Sequence, residues 1–305
     1  MSMTDTTTAA ARIVSVKPVV LPAPGRGDDL RVRVSAPASG RNLPVVVLSH
    51  GFGWSMDGYG PLADHWAAHG FVVVQPTHLD SRTLALPSDD PRTPLIWRWR
   101  VADLTHVLDR LDAVEAAVPG LAGRLDHDRI AVAGHSWGGQ TASMLLGARV
   151  LDAAGRPGED LSDRRVRAGV LLATPGSGGA DLTPFAAEHF PFMNPDFTRM
   201  TTPALVVAGD QDRSALSVRG PDWFADPYRL SPGGKSLLTL SGAEHSLGGI
   251  VGPGAAETTD ESPARVALIQ RLTTAYLRTA LDPGDPAWPA ACAAEPGPLG
   301  RIETS

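Results

Sequence analysis

An α/β fold, with one mostly parallel sheet of about eight strands and helices on both faces, is what this 305-residue chain predicts. Three observations lead there. Strand-like and helix-like segments alternate from residue 12 to 281. Two of the strand segments, Pro44 to Ser49 and Phe71 to Gln75, are nearly continuous apolar runs of the kind covered on both faces. The glycine-rich stretch Gly134-His135-Ser136-Trp137-Gly138-Gly139 lies between a short β-rich run and a helix-forming one.

Taken in order, Arg12 to Leu21 and Leu30 to Ser35 read as strands, with Pro22 to Gly27 turning between them. After the Pro44 strand, Pro61 to His69 reads as a helix stopped by Gly70, and the Phe71 strand follows. A polar loop from Thr77 to Pro94 leads into one helix from about Arg98 to Val118. Val101, Leu104, Leu108, Leu111 and Val118 recur on one face of it, which leaves Asp103, Arg110 and Glu115 facing away. Arg129 to Ala133 reads as a buried strand and Gln140 to Leu146 as a helix. The strands Val166 to Ala173, Ala204 to Ala208 and Ser236 to Leu240 and the helix Pro263 to Leu281 complete a single domain over residues 12–281. Residues 1–11 read as a flexible N-terminus and 282–305, rich in Pro, Ala and Gly, as an irregular tail. The stretch between Ala173 and Ala204 is too short for a large cap domain.

Composition narrows the function classes. Hydrophobic residues make up 43% and charged residues 20%, which argues for a folded body, and a net charge of -6 disfavours a nucleic-acid partner. No apolar run approaches the roughly 18 residues of a membrane span. The first residues lack a basic stretch followed by an apolar one, so a cytoplasmic protein is expected. Cys292 is the only cysteine, which excludes an intrachain disulfide, and its Ala- and Pro-rich surroundings argue against a catalytic thiol. Without H-E-x-x-H or clustered cysteines, no metal or cofactor is expected. Gly234-Lys235-Ser236 resembles the end of a phosphate-binding loop, but Arg229 stands where that loop needs its first glycine.

Chemistry points to Ser136. In G-x-S-x-G the serine occupies a strained strand-to-helix turn, flanking glycines let the chain fold back, and the helix N-terminus beyond favours negative charge. A serine hydroxyl at neutral pH needs a base, a group to orient that base, and donors for the oxyanion. Only His189 and His245 follow Ser136, and His245 alone follows a strand, so His245 is the base candidate; His106, His127 and His189 read as surface or helix-face residues. Gly209-Asp210-Gln211-Asp212 offers two carboxylates. Asp212 is favoured for reach, with Asp210 left to serve the turn through backbone N–H groups. His50-Gly51-Phe52-Gly53 follows a strand, and its glycines permit close approach, so the backbone amides of Phe52 and Trp137 are the candidate oxyanion donors.

From about Val14 to Leu281 the chain resembles the α/β-hydrolase superfamily. His50-Gly51-Phe52-Gly53, Asp64-His65-Trp66-Ala67-Ala68-His69-Gly70-Phe71-Val72-Val73, Arg100-Val101-Ala102-Asp103 and Gly134 to Gly139 are similar to the branch of platelet-activating-factor acetylhydrolase-like, chlorophyllase-like and predicted dienelactone hydrolase proteins. The resemblance implies a metal-free serine carboxylesterase acting on a small-molecule ester. It also implies Asp212 as the acid, three residues after the glycine closing its strand. Ser136 departs from the cysteine of true dienelactone hydrolases and from the aspartate of haloalkane dehalogenases and epoxide hydrolases.

For substrate contacts, Phe185, Phe190 and Phe192, with Phe197, Met193 and Met200 nearby and Trp54, Met56 and Tyr59 beside the oxyanion loop, either line an apolar pocket or pack the core. Trp97 and Trp99 allow the same two readings. The same residues would also serve an acyltransferase or a thioesterase or amidase, and the scaffold could serve a non-catalytic ligand-binding protein. Oligomeric state is not encoded in any of these features.

Overall fold

A computed structural model describes residues 11–305 except 88, 254 and 295. The expected flexible N-terminus thus lies outside the described residues, apart from Ala11, whose amide donates to Ala68 O at 2.9 Å.

The chain folds as β1 (Ile13–Leu21), β2 (Leu30–Pro37), β3 (Leu43–Ser49), α1 (Gly60–Ala68), β4 (Val72–Pro76), α2 (Ile96–Asp109), α3 (Leu111–Ala117), β5 (Leu125–His135) and α4 (Trp137–Leu145). It continues through β6 (Arg149–Val150), β7 (Val166–Leu172), α5 (Pro184–His189), β8 (Pro195–Asp196), β9 (Ala204–Gly209), α6 (Asp226–Arg229), β10 (Lys235–Leu240), α7 (Pro263–Leu281), α8 (Ala287–Ala293) and β11 (Gly300–Thr304). Nine strands form the main sheet in the order β1-β2-β4-β3-β5-β7-β9-β10-β11. The block β4-β3-β5-β7-β9-β10 is parallel, while β2 pairs antiparallel with both β1 and β4, and β11 pairs antiparallel with β10. This is an α/β-hydrolase architecture.

The apolar strands dictate burial on both sides. Val45, Val46, Val47, Val72, Val73 and Val74 are all fully buried, as β-branched residues sandwiched between helical layers should be. Helices α1 and α7 pack together on one face, tied by the Trp66 indole donating to Thr273 Oγ1 at 3.0 Å; α2 and α4 cover the other. Helix α7 starts where the pattern required: Ser262 caps it by accepting from the Arg265 amide, with Pro263 in the first turn. Every parallel strand runs the same way, so the loops after β3, β5, β9 and β10 gather at one edge.

Three expectations need correction. The helix read as one piece over Arg98 to Val118 breaks at Arg110, giving α2 and α3. Asp103 and Glu115 do not face away but are buried: Asp103 is forked by Arg26, and Glu115 Oε1 accepts the amides of Arg124 and Leu125 at 2.6 and 2.8 Å. Apolar periodicity cannot reveal a carboxylate whose burial is compensated by a partner distant in sequence. The tail is also not irregular. It forms α8, which packs on α7, and then β11, which pairs antiparallel with β10 and covers that edge of the sheet.

Candidate active site

Steric demand explains the elbow. Ser136 stands at φ 54°, a left-handed conformation that costs energy for any residue with a Cβ. A Cβ on Gly134 would lie 2.0 Å from Gly138 O, and one on Gly138 would lie 2.1 Å from Ser49 O. Neither glycine can be replaced without moving backbone. Past the elbow, α4 begins at Trp137, so its first amides point toward the Ser136 side of the sheet.

Ser136 Oγ lies 2.9 Å from His245 Nε2, and His245 Nδ1 lies 3.1 and 3.0 Å from the two oxygens of Asp212. Three loops, after β5, β9 and β10, thus bring a hydroxyl, an imidazole and a carboxylate into one line. The Asp212 side chain is fully buried, which pushes its pKa up, while the His245 N–H bond pulls against that rise. Asp210, the other candidate acid, spends Oδ1 on the Gly242 amide at 2.7 Å and on the Gln211 side chain. It holds the turn and does not reach the imidazole.

Among the described residues, the amides of Phe52 and Trp137 have no protein acceptor, whereas those of Gly51, Gly53 and Ser136 do. Gly51 donates to Tyr59 Oη at 3.0 Å, Gly53 to Asp80 Oδ2 at 3.2 Å, and Ser136 to Leu172 O at 2.9 Å. The Phe52 and Trp137 rings also touch, with centroids 4.6 Å apart.

A cavity of about 620 Å³ opens beside these two residues, with Phe190, Phe192, Leu86 and Ile96 among its walls. Phe190 and Phe192 meet the Trp137 ring edge-on at 5.2 and 5.3 Å. Phe185 is not in the wall; half exposed, it packs on Phe190. Trp54 is elsewhere, lining a separate hollow of about 240 Å³ with Gly58, Pro61 and Val251. Phe197, Met193 and Met200 are core residues, and Tyr59 is fully buried beneath the loop after β3 rather than lining a pocket.

Beneath this site lies a buried polar network that sequence reasoning missed. Arg100, 1% exposed, grips Asp80 with Nη1 at 2.7 Å from both oxygens, and donates to Thr141 Oγ1 at 3.1 Å and to the His50 carbonyl. Burial alone would raise Asp80, but Arg100 outweighs it, helped by the Gly53 amide, and brings the carboxyl down to about 2. Asp103 accepts from Arg26 at 2.6 and 3.2 Å and from His78 Nδ1 at 2.9 Å; burial still lifts it to about 6. His50 and His78 are driven well below the ordinary imidazole range, chiefly by burial, and remain neutral. The partners fix their tautomers: His78 Nδ1–H serves Asp103 while Nε2 faces Ser49 Oγ, and His50 Nδ1–H serves Gly51 O while Nε2 accepts the His78 amide. Two cations and two anions balance one another, with the loop after β3 fastened on top.

Asp260 was missed as well. Its Oδ2 accepts the amides of Glu244 and Gly248, both at 2.9 Å, and so braces the loop on either side of His245. Of all these residues, His50, Arg100 and Asp103 carried a signal in the sequence, within motifs of the family resemblance.

Comparison with known proteins agrees with the fold. Residues 15–151 match the model of the Chlorophyllase family, a stretch that contains the loop after β3 and the elbow but ends before Asp212 and His245. No curated protein matches the chain. Among the described residues, no helix is long and apolar enough to cross a membrane. The sheet order fits the α/β-hydrolase fold, and over residues 15–151 the chain is similar to the Chlorophyllase family.

Proposed function

We propose that the protein is a serine esterase that cleaves carboxylic esters through an acyl-enzyme. The observation that carries this reading is the continuous line from Ser136 Oγ through the His245 ring to Asp212, at 2.9 Å and then 3.1 and 3.0 Å. His245 Nε2 takes the Ser136 proton as Oγ attacks the ester carbonyl, and the Asp212 carboxylate holds the ring with Nδ1–H directed inward. The carbonyl oxygen becomes negative in the tetrahedral intermediate and is met by the amides of Phe52 and Trp137. His245 then returns the proton to the leaving alkoxide, freeing the alcohol. Water repeats the cycle on the acyl-serine: His245 removes its proton, the acid leaves, and Ser136 is restored. The cavity walled by Phe190 and Phe192 suits an apolar substituent of the ester.

The test is turnover of small chromogenic esters. Ser136→Ala should abolish it with the melting temperature unchanged within about 2 °C; activity near that of the parent protein would reject the assignment.

A further inference from the structure

The catalytic line joins Ser136, His245 and Asp212 but does not touch the loop that carries Phe52. A second line, buried from Gly51 to His135, does. Gly51 N–H donates to Tyr59 Oη at 3.0 Å, Tyr59 Oη lies 2.8 Å from His135 Nδ1, and His135 Nε2 lies 2.8 Å from the carbonyl oxygen of His245. Proton counting fixes the direction of all three bonds. The carbonyl can only accept, so His135 carries its proton on Nε2; Nδ1 then accepts, and the single phenolic proton goes there, leaving Oη to accept from Gly51. Tyr59 is itself pinned at φ 63°, with its amide donating to Val251 O at 2.7 Å. A Cβ on Gly51 would stand 2.9 Å from Tyr59 Oη, so the contact is close as well as correctly paired.

We infer that Tyr59 and His135 are positioning residues that lock the oxyanion loop after β3 to the His245 loop after β10, across the elbow, setting the distance between the oxyanion donor and the base. The inference rests on the esterase reading above. Neither side chain touches the reacting atoms. They act because misplacing a catalytic group by about 1 Å can cost about 100-fold in rate.

Tyr59→Phe keeps the ring and removes the hydroxyl. The expected result on a small chromogenic ester is a kcat lower by about 10- to 100-fold with KM within about twofold. His135→Gln, whose amide can still donate to the His245 carbonyl but loses Tyr59, should show a similar loss, and the double variant should be no worse than the poorer single one, because both cut the same link. If Tyr59→Phe gives no folded protein, His135→Gln carries the test alone, with kcat lower by about 10- to 100-fold and KM within about twofold. The inference is overturned if kcat in Tyr59→Phe, or in His135→Gln where the former does not fold, stays within twofold of the parent protein while only the melting temperature falls, or if the two losses multiply. Failure of the underlying esterase reading would show differently, as ester turnover that survives Ser136→Ala.

Discussion

Arg100→Met places the heaviest demand on the buried network. Arg100 and Asp80 are 1% and 5% exposed at their side chains, and the guanidinium meets both carboxylate oxygens at 2.7 Å. Asp80 stands at about 2 against an ordinary 3.8, which corresponds to about 2.5 kcal/mol of folding stability at neutral pH. Removing Arg100 deletes that contribution and leaves a buried carboxylate without its cation, so the expected cost is about 3–5 kcal/mol. In a chain of this size the melting temperature should fall by roughly 5–8 °C. The sign with pH follows from linkage. In the parent protein the depressed Asp80 stabilises fully above about pH 4, and that stability is lost as pH falls toward 2. In Arg100→Met the unpaired carboxyl is raised instead, so its penalty is relieved on acidification, and the gap between the two proteins should narrow from pH 7 to pH 4. Urea unfolding of both proteins at several pH values measures this. Adding Asp80→Asn, which keeps an acceptor for the Gly53 amide without the charge, should recover much of the loss. A deficit below about 1 kcal/mol at pH 7, or one independent of pH, would refute the reasoning.

Further perturbations probe the neighbouring parts. Gly134→Ala forces a Cβ to 2.0 Å from Gly138 O and should abolish soluble folded protein or cost more than about 3 kcal/mol, whereas Gly70→Ala, with nothing within 4 Å but φ at +101°, should cost about 1 kcal/mol; chemical denaturation ranks the two. Asp260→Ala removes the acceptor for the Glu244 and Gly248 amides, and kcat for a small ester should fall by about tenfold with the mutant still folded by circular dichroism. Phe192→Ala opens the cavity wall beside Trp137 and should raise KM for esters with bulky apolar groups by about tenfold while leaving acetate esters within about threefold, read from a panel of acyl and alcohol sizes.

Local features were the legible ones. The elbow can be read from sequence because its constraint spans five residues: Gly134 and Gly138 are needed where a Cβ meets backbone at about 2 Å, and no distant partner enters the argument. The parallel strands were legible because burial on two faces requires runs such as Val45-Val46-Val47. His245 could be picked as a candidate from chain order, and Asp212 was favoured over Asp210 on the same loop for its reach and by the family resemblance. What stayed hidden depends on pairing across long separations. Arg26 and Asp103 are 77 residues apart and Arg100 and His50 are 50 apart, so charges that look solvated along a helix are buried in the fold. Trp54 adjoins Gly53 in sequence yet faces another hollow, because the turn after Gly53, at φ 75°, redirects the chain. The strand β11 was unreadable for a similar reason: a short Gly-Arg-Ile-Glu-Thr stretch has little strand character until β10 offers it an edge.

The most direct measurement is the site and rate of covalent capture by a fluorophosphonate, read by peptide mass spectrometry. A nucleophilic Ser136 activated by His245 should yield one adduct, on the peptide containing Ser136, absent in Ser136→Ala and formed at least about 100-fold more slowly in His245→Gln. An unmodified Ser136 peptide, or labelling at the same rate without the imidazole, would contradict the account.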